Sequence, residues 1–328
     1  MRQTLFSRGA VILALGMLLS ACATTPAAPA SAPTSAPASG ATASASAGKT
    51  RTITHAMGET AVPASPQRVV VLDTGELDSA VALGIKPVGA VEAQAGAGFP
   101  TYLADALEGT EVVGTIGEPN LEKIAVLKPD LILSNKRRHE DIYQQLSQIA
   151  PTVFAENVGV VWRDNFLLDA NALNKSAEAE TILREYDERA ANLGKQLSTP
   201  PSEIEVSMVR FIPDQIRLYQ QGSFIGTVLR DVGFARPASQ QLTDKTFVEG
   251  NKEQIADMDG DVLFLASYGA AEKTGLAAFK DDPLFKQLSA VQQGKAFEVS
   301  DDHWMLGIGV VAANRVLDDL EGYFGSSS

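Results

Sequence analysis

Arginines that follow or interrupt apolar runs are the residues of this chain best placed to do chemistry, and that chemistry is anion capture. Lys136, Arg137 and Arg138 come directly after Leu131–Ser134. Arg210 lies inside Val206–Ile212, an otherwise buried-looking run. Arg217 and Tyr219 share one face of Gln215–Tyr219, because side chains alternate along a strand, while Ile216 and Leu218 take the other. A guanidinium stays charged at any physiological pH, and its planar fork grips two oxygens. One charge-assisted bond nets about 1.5–3 kcal/mol, so two or three supply much of a micromolar-to-nanomolar affinity. Arg138 is the first candidate for a ligand contact; Arg137 is either a further contact or a solvated side chain. Arg210 requires a partner where it stands, either a structural carboxylate or a bound anion.

Trp162 and Trp304 are the only tryptophans, both in polar sequence surroundings, and both are expected to pack against the organic part of a ligand. Direct metal binding is not expected. His55, His139 and His303 are scattered, and no His-x-x-His or Cys-x-x-Cys spacing occurs. Gly307-Ile-Gly309 mimics part of a dinucleotide fingerprint but stands too near the chain end for the acidic residue that should follow, so tight packing at the start of the last helix explains those glycines better. No nucleophile elbow or phosphate loop is present, so an enzyme is the remote alternative to a binding protein.

The elements that must position these residues alternate. Arg68–Asp73, Val88–Val91, Val112–Ile116, Leu131–Ser134 and Thr152–Ala155 read as strands, with helical patterns after the first, third and fourth. Ser176–Leu197 is the longest helical pattern, with Ser176 as a plausible N-cap. Beyond it Val206–Ile212, Gln215–Tyr219, Val262–Ala266 and Ala296–Val299 read as strands. The expected fold is therefore α/β: two lobes, each a mainly parallel sheet flanked by helices, joined by one long helix. The expected boundaries are 50–170, 171–198 and 199–328. Ligands of such sheets bind outside the carboxyl ends of the strands, which is where the arginines fall. A weak repeat supports two lobes: the stretch from Asn120 through Glu122 to Asp130 aligns with that from Asn251 through Glu253 to Asp261.

The first residues have their own logic. Arg2 and Arg8 precede an apolar Ala10–Leu19, too short to span a bilayer, and Leu19-Ser20-Ala21-Cys22 resembles a bacterial lipobox. Residues 1–22 are expected to be a lipoprotein signal, with Cys22, the only cysteine, carrying the lipid. Residues 23–49, almost all Ala, Ser, Thr, Pro and Gly, cannot bury a core and read as a tether. Removing residues 1–22 takes away two arginines and no acids, which moves the net charge from −13 to −15. That balance argues against nucleic acid and against electrostatic attachment to anionic lipid. The place implied is extracytoplasmic, anchored by the N-terminal lipid.

Several stretches resemble one family. Gly114-Thr-Ile-Gly-Glu-Pro-Asn120-Leu-Glu-Lys-Ile-Ala-Val-Leu-Lys-Pro-Asp130-Leu-Ile-Leu is similar to the signature of periplasmic siderophore- and cobalamin-binding proteins. Arg138-His-Glu-Asp-Ile-Tyr143 through Pro151-Thr resembles the branch that handles ferric hydroxycarboxylate siderophores and iron dicitrate, as do Gly58-Glu-Thr, Pro66-Gln-Arg-Val-Val, Val209-Arg-Phe and the region of Trp304. The resemblance covers roughly residues 50–325. It implies a class III substrate-binding protein of an ABC importer, a monomer without a cofactor, whose ligand is a ferric siderophore of citrate or hydroxycarboxylate type. It also implies that Glu122 and Glu253 dock onto arginines of the permease dimer. A cobalamin or haem carrier is the alternative ligand class. Ile116 stands where several relatives carry an arginine, which removes one expected anion contact.

Overall fold

The structure, a computed structural model, describes residues 49–325. The expected signal segment, Cys22 and residues 23–48 of the expected tether lie outside the described residues.

A hairpin opens the described chain, β1 (Thr50–His55) against β2 (Gly58–Pro63). The first large sheet is built from β3 (Val69–Val71), β4 (Gly89–Glu92), β5 (Glu111–Thr115), β6 (Leu131–Asn135) and β7 (Thr152–Ala155) in the order β5-β4-β3-β6-β7. Every pairing in it is parallel. Val69–Val71 and Leu131–Asn135 are buried throughout, as continuous β-branched and apolar runs must be when helices cover both faces. Those helices are α1 (Thr74–Ala82), α2 (Leu121–Val126), α3 (Lys136–His139), α4 (Tyr143–Ile149) and α5 (Trp162–Leu173).

The second sheet contains β8 (Val206–Ile212), β9 (Gln215–Tyr219), β10 (Phe247–Gly250), β11 (Val262–Ser267) and β12 (Ala296–Val299), in the order β10-β9-β8-β11-β12. Numbered within its own lobe, each sheet reads third-second-first-fourth-fifth. The second is mixed, because β9 runs antiparallel to β8 and β10. Ile212 pairs with Gln215 across a two-residue turn in which Asp214 has φ 61, and so short a link cannot make a parallel crossover.

The internal repeat has the same construction in both lobes. Asn120 caps α2 by accepting from Lys123 N, and Asn251 accepts from Glu253 N and Gln254 N at the 3-10 helix Lys252–Met258. Asp130, just before β6, accepts from Gln67 N and Arg68 N, just before β3. Asp261, before β11, accepts from Glu205 N, before β8. The matching asparagines start the helix before the fourth strand of each sheet, and the matching aspartates tie that strand to the first.

Between the two sheets in sequence lies α6 (Ser176–Gln196), 21 residues and so about 30 Å long. Its cap is Lys175 rather than the expected Ser176, which is the first helical residue; no side chain accepts at that end. Ala179, Leu183, Tyr186, Ala190 and Leu193 form its buried stripe against α5, α7 (Phe224–Val232) and the C-terminal helix Val310–Gly325. One apolar cluster runs through all of these elements and both lobes, so sliding one lobe over the other would expose it.

Polar contacts reinforce that junction. Asp78 of α1, fully buried, accepts from Val311 N and Ala312 N at 2.9 Å and from the Tyr102 hydroxyl at 3.1 Å. A carboxylate thus sits at the N-terminus of the last helix, where the unpaired N–H groups favour negative charge. A Cβ on Gly309 would lie 2.3 Å from Asp78 Oδ1, and one on Gly307 2.6 Å from Ala312 Cβ, so these glycines serve packing, as expected. Burial pushes the Asp78 carboxyl up to about 6, against the pull of its hydrogen bonds.

Candidate ligand groove

The carboxyl ends of β3 and β6 carry Asp73 and Asn135. Asn135 accepts from Arg138 N at 3.1 Å, starting α3, and its amide donates to Asp73 at 3.0 Å and Glu76 at 3.2 Å. This fixes the Arg138 backbone, and Arg138 Nε then donates to Asp73 Oδ2 at 3.1 Å. The pair is asymmetric: the Asp73 side chain is 1 % exposed and that of Arg138 40 %. Both Nη atoms of Arg138 are left without a partner among the described residues. Arg137 is exposed and makes no side-chain hydrogen bond, whereas Lys136 pairs with Glu156 at 3.1 Å. Arg137 and Arg138 line a shallow depression with Glu140, Asp141 and Asn157. Ile116 supplies no anion contact; its side chain joins the apolar cluster under the sheet, and its carbonyl meets His139 Nε2 at 2.7 Å.

In the second lobe the register makes a row. Arg210 lies opposite Arg217, and Arg217 opposite Glu249. Arg217 is half-buried, with Nε on Gln215 Oε1 at 2.7 Å and its guanidinium 4.0 Å from the Phe247 ring. Its Nη atoms, like those of Arg138, have no partner among the described residues. Each lobe therefore offers one guanidinium held at Nε with its outer edge free for a bidentate oxyanion.

Arg210 is different. It is 7 % exposed and doubly bound to Asp301, Nε to Oδ1 at 2.6 Å and Nη2 to Oδ2 at 2.5 Å, while Nη1 donates to the Tyr219 hydroxyl at 3.2 Å. Of the two partners open to it from the sequence, it has the structural carboxylate. Burial disfavours its charge, but Asp301 and Tyr219 together outweigh burial and raise its pKa. Tyr219, 7 % exposed, supports Arg210 rather than facing a ligand.

The expectation for the two tryptophans is corrected. Trp162, 1 % exposed, opens α5, with Nε1 on Thr227 Oγ1 at 2.9 Å and its ring edge-on to Tyr186 and Phe224. Trp304, 0 % exposed, donates to Asp319 at 2.8 Å, its ring 4.7 Å from Phe264. Both are core. Their polar sequence neighbours cover them: the Arg163 guanidinium lies 4.9 Å over the Trp162 ring, and His303 meets the same Asp319 oxygen as Trp304. The aromatic left partly exposed beside Arg210 is instead Tyr268, just past β11. It lies 4.8 Å from the Arg210 guanidinium and hydrogen-bonds the Gln94 side chain, which belongs to the other lobe. The loop bearing Gln94 is shaped by Glu92, which accepts from Gly96 N at 2.7 Å and Gly98 N at 2.9 Å. Thr101 adds a second bridge, donating from N and Oγ1 to Asp302. The signal for Tyr268 and Asp301 was their position after parallel strands, the same rule that selected Arg138.

Glu122 and Glu253 are exposed in the first turns of their helices, and neither side chain has a partner among the described residues. Val126, one turn beyond Glu122, is 78 % exposed.

Behind Arg138 lies buried acid. Glu76 and Asp169, 2 % and 1 % exposed, each keep one carboxylate oxygen without a partner among the described residues. Burial pushes Asp169 up to about 7, and burial together with the Asp73 and Asp169 charges holds Glu76 well above the usual range. A carboxyl with a raised folded pKa favours the fold while protonated, and that contribution is lost as pH rises through the folded value. Asp169→Asn should therefore gain stability relative to wild type between pH 5 and pH 8.5, by on the order of 3 kcal/mol. Denaturant melts across that range would count against this if the gap stayed constant.

Comparison with known proteins accords with this layout. Residues 69–302 match the family model described as "Periplasmic binding protein". The chain is 44 % identical over 287 residues to "Probable siderophore-binding lipoprotein YfiY" of Bacillus subtilis, covering 84 % of this chain and 88 % of the relative. It is 32 % identical over 275 residues to "Fe(3+)-citrate-binding protein YfmC" of the same organism, covering 83 % and 85 %. The crystal structure of Staphylococcus aureus SirA complexed with staphyloferrin B superposes with a TM-score of 0.76 at 35 % identity, covering 84 % of this chain and 98 % of that one. Two sheets of the same internal order and a match over most of the described chain place this protein in the periplasmic binding protein family.

Proposed function

We propose that the chain is the extracytoplasmic solute-binding component of an ABC importer, and that its cargo is an anionic ferric siderophore of citrate or hydroxycarboxylate type. The observation that carries this reading is the pair Arg138 and Arg217, one per lobe, each fixed at Nε and, among the described residues, unpartnered at Nη. A carboxylate-rich chelate presents paired oxygens to such forks, and a predominantly neutral corrinoid does not. The name of one relative, siderophore-binding, and the staphyloferrin B complex of the solved neighbour support a siderophore cargo, and the name of the other, Fe(3+)-citrate-binding, supports the citrate class. The iron arrives with its coordination filled by the chelator, and the protein contributes no cofactor. Cys22 carries the lipid that holds a monomer at the membrane, and Glu122 and Glu253 present the loaded protein to the permease. No helix among the described residues is long and apolar enough to cross a membrane.

Calorimetric titration tests the ligand class. Ferric dicitrate should bind with 1:1 stoichiometry, a micromolar or tighter Kd, and no chemical change in the recovered chelate. Iron-free citrate should bind at least tenfold more weakly. Tight binding of cobalamin or haem with no response to any ferric carboxylate chelate would reject the proposal in favour of the other carrier class.

A further inference from the structure

Two carboxyls lie in the interior behind Arg138, and their hydrogen bonds leave a place for one proton. Glu76 is on α1 and Asp169 on α5, and these helices pack against each other. Glu76 Oε1 accepts from Asn135 Nδ2 at 3.2 Å, and the Ser79 hydroxyl, three residues on along α1, hydrogen-bonds Asp169. Glu76 Oε2 and Asp169 Oδ2 remain, buried and without a partner among the described residues. They are the only carboxylate oxygens there left in that state. The two groups are neighbours, because the Asp169 charge helps to push the Glu76 carboxyl up.

Two like charges side by side in the interior cannot both ionise cheaply, whereas a proton on one free oxygen makes it a donor to the other. The pair stands directly behind the ion pair of the first lobe. Asn135 Nδ2, which holds Glu76, also donates to Asp73 Oδ2 at 3.0 Å, and that same oxygen takes Arg138 Nε at 3.1 Å. His139, next to Arg138, meets Ser134 Oγ and the Ile116 carbonyl; burial lowers its pKa below 6.5, so it is largely neutral above that pH. Other ionisable groups on the elements packed around α1 and α5 are engaged elsewhere. Asp78 and Tyr102 bond each other, and Glu92 holds Gly96 N and Gly98 N. Arg51 holds the Asn171 and Ala172 carbonyls, Arg163 meets Asp187 and Asp231, and Arg189 meets Asp318 and Glu321.

We propose that Glu76 and Asp169 share one proton, and that this proton tunes the grip of Arg138 on anionic cargo, so that binding is linked to proton uptake. This rests on the anionic-chelate reading above and deepens it. While the proton stays, the pair carries one negative charge. Once it leaves, a second buried charge stands behind Asp73 and repels the cargo. A charge at roughly 10 Å, with an effective dielectric near 20, changes the binding of a singly charged anion about tenfold. Solvent around the partly exposed Arg138 screens this to roughly three- to tenfold. A bound anion in turn favours the protonated pair. Affinity is therefore highest below the pKa of about 7 at Asp169 and is lost as pH rises through it.

The test titrates ferric dicitrate into wild type, Glu76→Gln and Asp169→Asn from pH 6.5 to pH 9. In each variant an amide N–H takes the place of the shared proton and fixes the charge of the pair at minus one. The chelate's own protonation changes alike for all three proteins. Across that range the wild-type Kd should rise by roughly three- to tenfold relative to either variant. Near pH 7.5, calorimetry in buffers of different ionisation enthalpy should find more proton uptake on binding by wild type than by the variants. Both variants should melt no lower than wild type at pH 8.5. A Kd ratio that stays constant with pH in either folded variant, equal proton uptake, or failure of both variants to fold would overturn the proposal. If wild type binds ferric dicitrate at no pH, the anionic-cargo reading falls and takes this proposal with it, an outcome distinct from a flat ratio in a protein that binds.

Discussion

Ferric dicitrate affinity should fall by about two to four orders of magnitude when Arg138 and Arg217 are both replaced by alanine. Each substitution removes one charge-assisted fork, nominally about 1.5–3 kcal/mol, or roughly 10- to 150-fold. The two sites lie on different lobes and share no protein partner, so their effects should approach additivity. The folded state should survive. Arg217 is held by a neutral glutamine and a ring contact, and its loss strands no buried charge. Arg138→Ala leaves Asp73 with its Asn135 hydrogen bond and a bond from Thr74 N at 2.7 Å, so a modest fall in Tm is expected there. Calorimetry on the single and double variants measures this directly. An unchanged Kd in the double variant would remove both arginines from the site and, with them, the chemical basis for an anionic ligand.

Replacing Glu122 and Glu253 together by alanine should bring iron uptake by cells close to background while the Kd for the chelate stays within about twofold. Both carboxylates are exposed, unpartnered among the described residues and equivalently placed, each in the first turn after the third strand of its sheet. A group with no internal partner contributes little to the fold, and a surface acid substitution usually costs under about 0.5 kcal/mol. Its weight must therefore lie in an encounter with another molecule, and two acids at matching points of a pseudo-symmetric protein suit a partner with two halves. Single substitutions should give intermediate uptake. Normal transport by the double variant would take the permease contact away from these residues; a weakened Kd would place them in the groove or the core.

The repeat could be read in advance because its residues act locally. Asn120 and Asn251 cap the turns they begin, and Asp130 and Asp261 bond backbone beside the strands they precede. Strand positions were equally legible, since continuous apolar runs bounded by breakers have few alternatives in an α/β chain. The hairpin β1–β2, helix α5, helix α7 and the edge strand β10 were not anticipated. α5 turns apolar residues toward both α6 and α7, and the short β10 is only partly buried, so neither gives a strong periodic signal of its own; α7 is amphipathic, but its nine residues make that signal short.

Side-chain roles divided along the same line. Sequence position after a strand was enough to bring Arg138 to the carboxyl edge of its sheet, and alternation was enough to put Arg217 and Tyr219 on one face, because both follow from strand geometry alone. It could not say which arginine keeps a free edge. That depends on Asp301 meeting Arg210 across 91 residues and on Gln215 holding only one nitrogen of Arg217. Nor could it say that Trp162 and Trp304 are sealed in the core while Tyr268 reaches across to Gln94. The order of the elements is written in short-range pattern; whether a charged or aromatic side chain is spent on the fold or left for a ligand is decided by partners that only folding brings within a few ångströms.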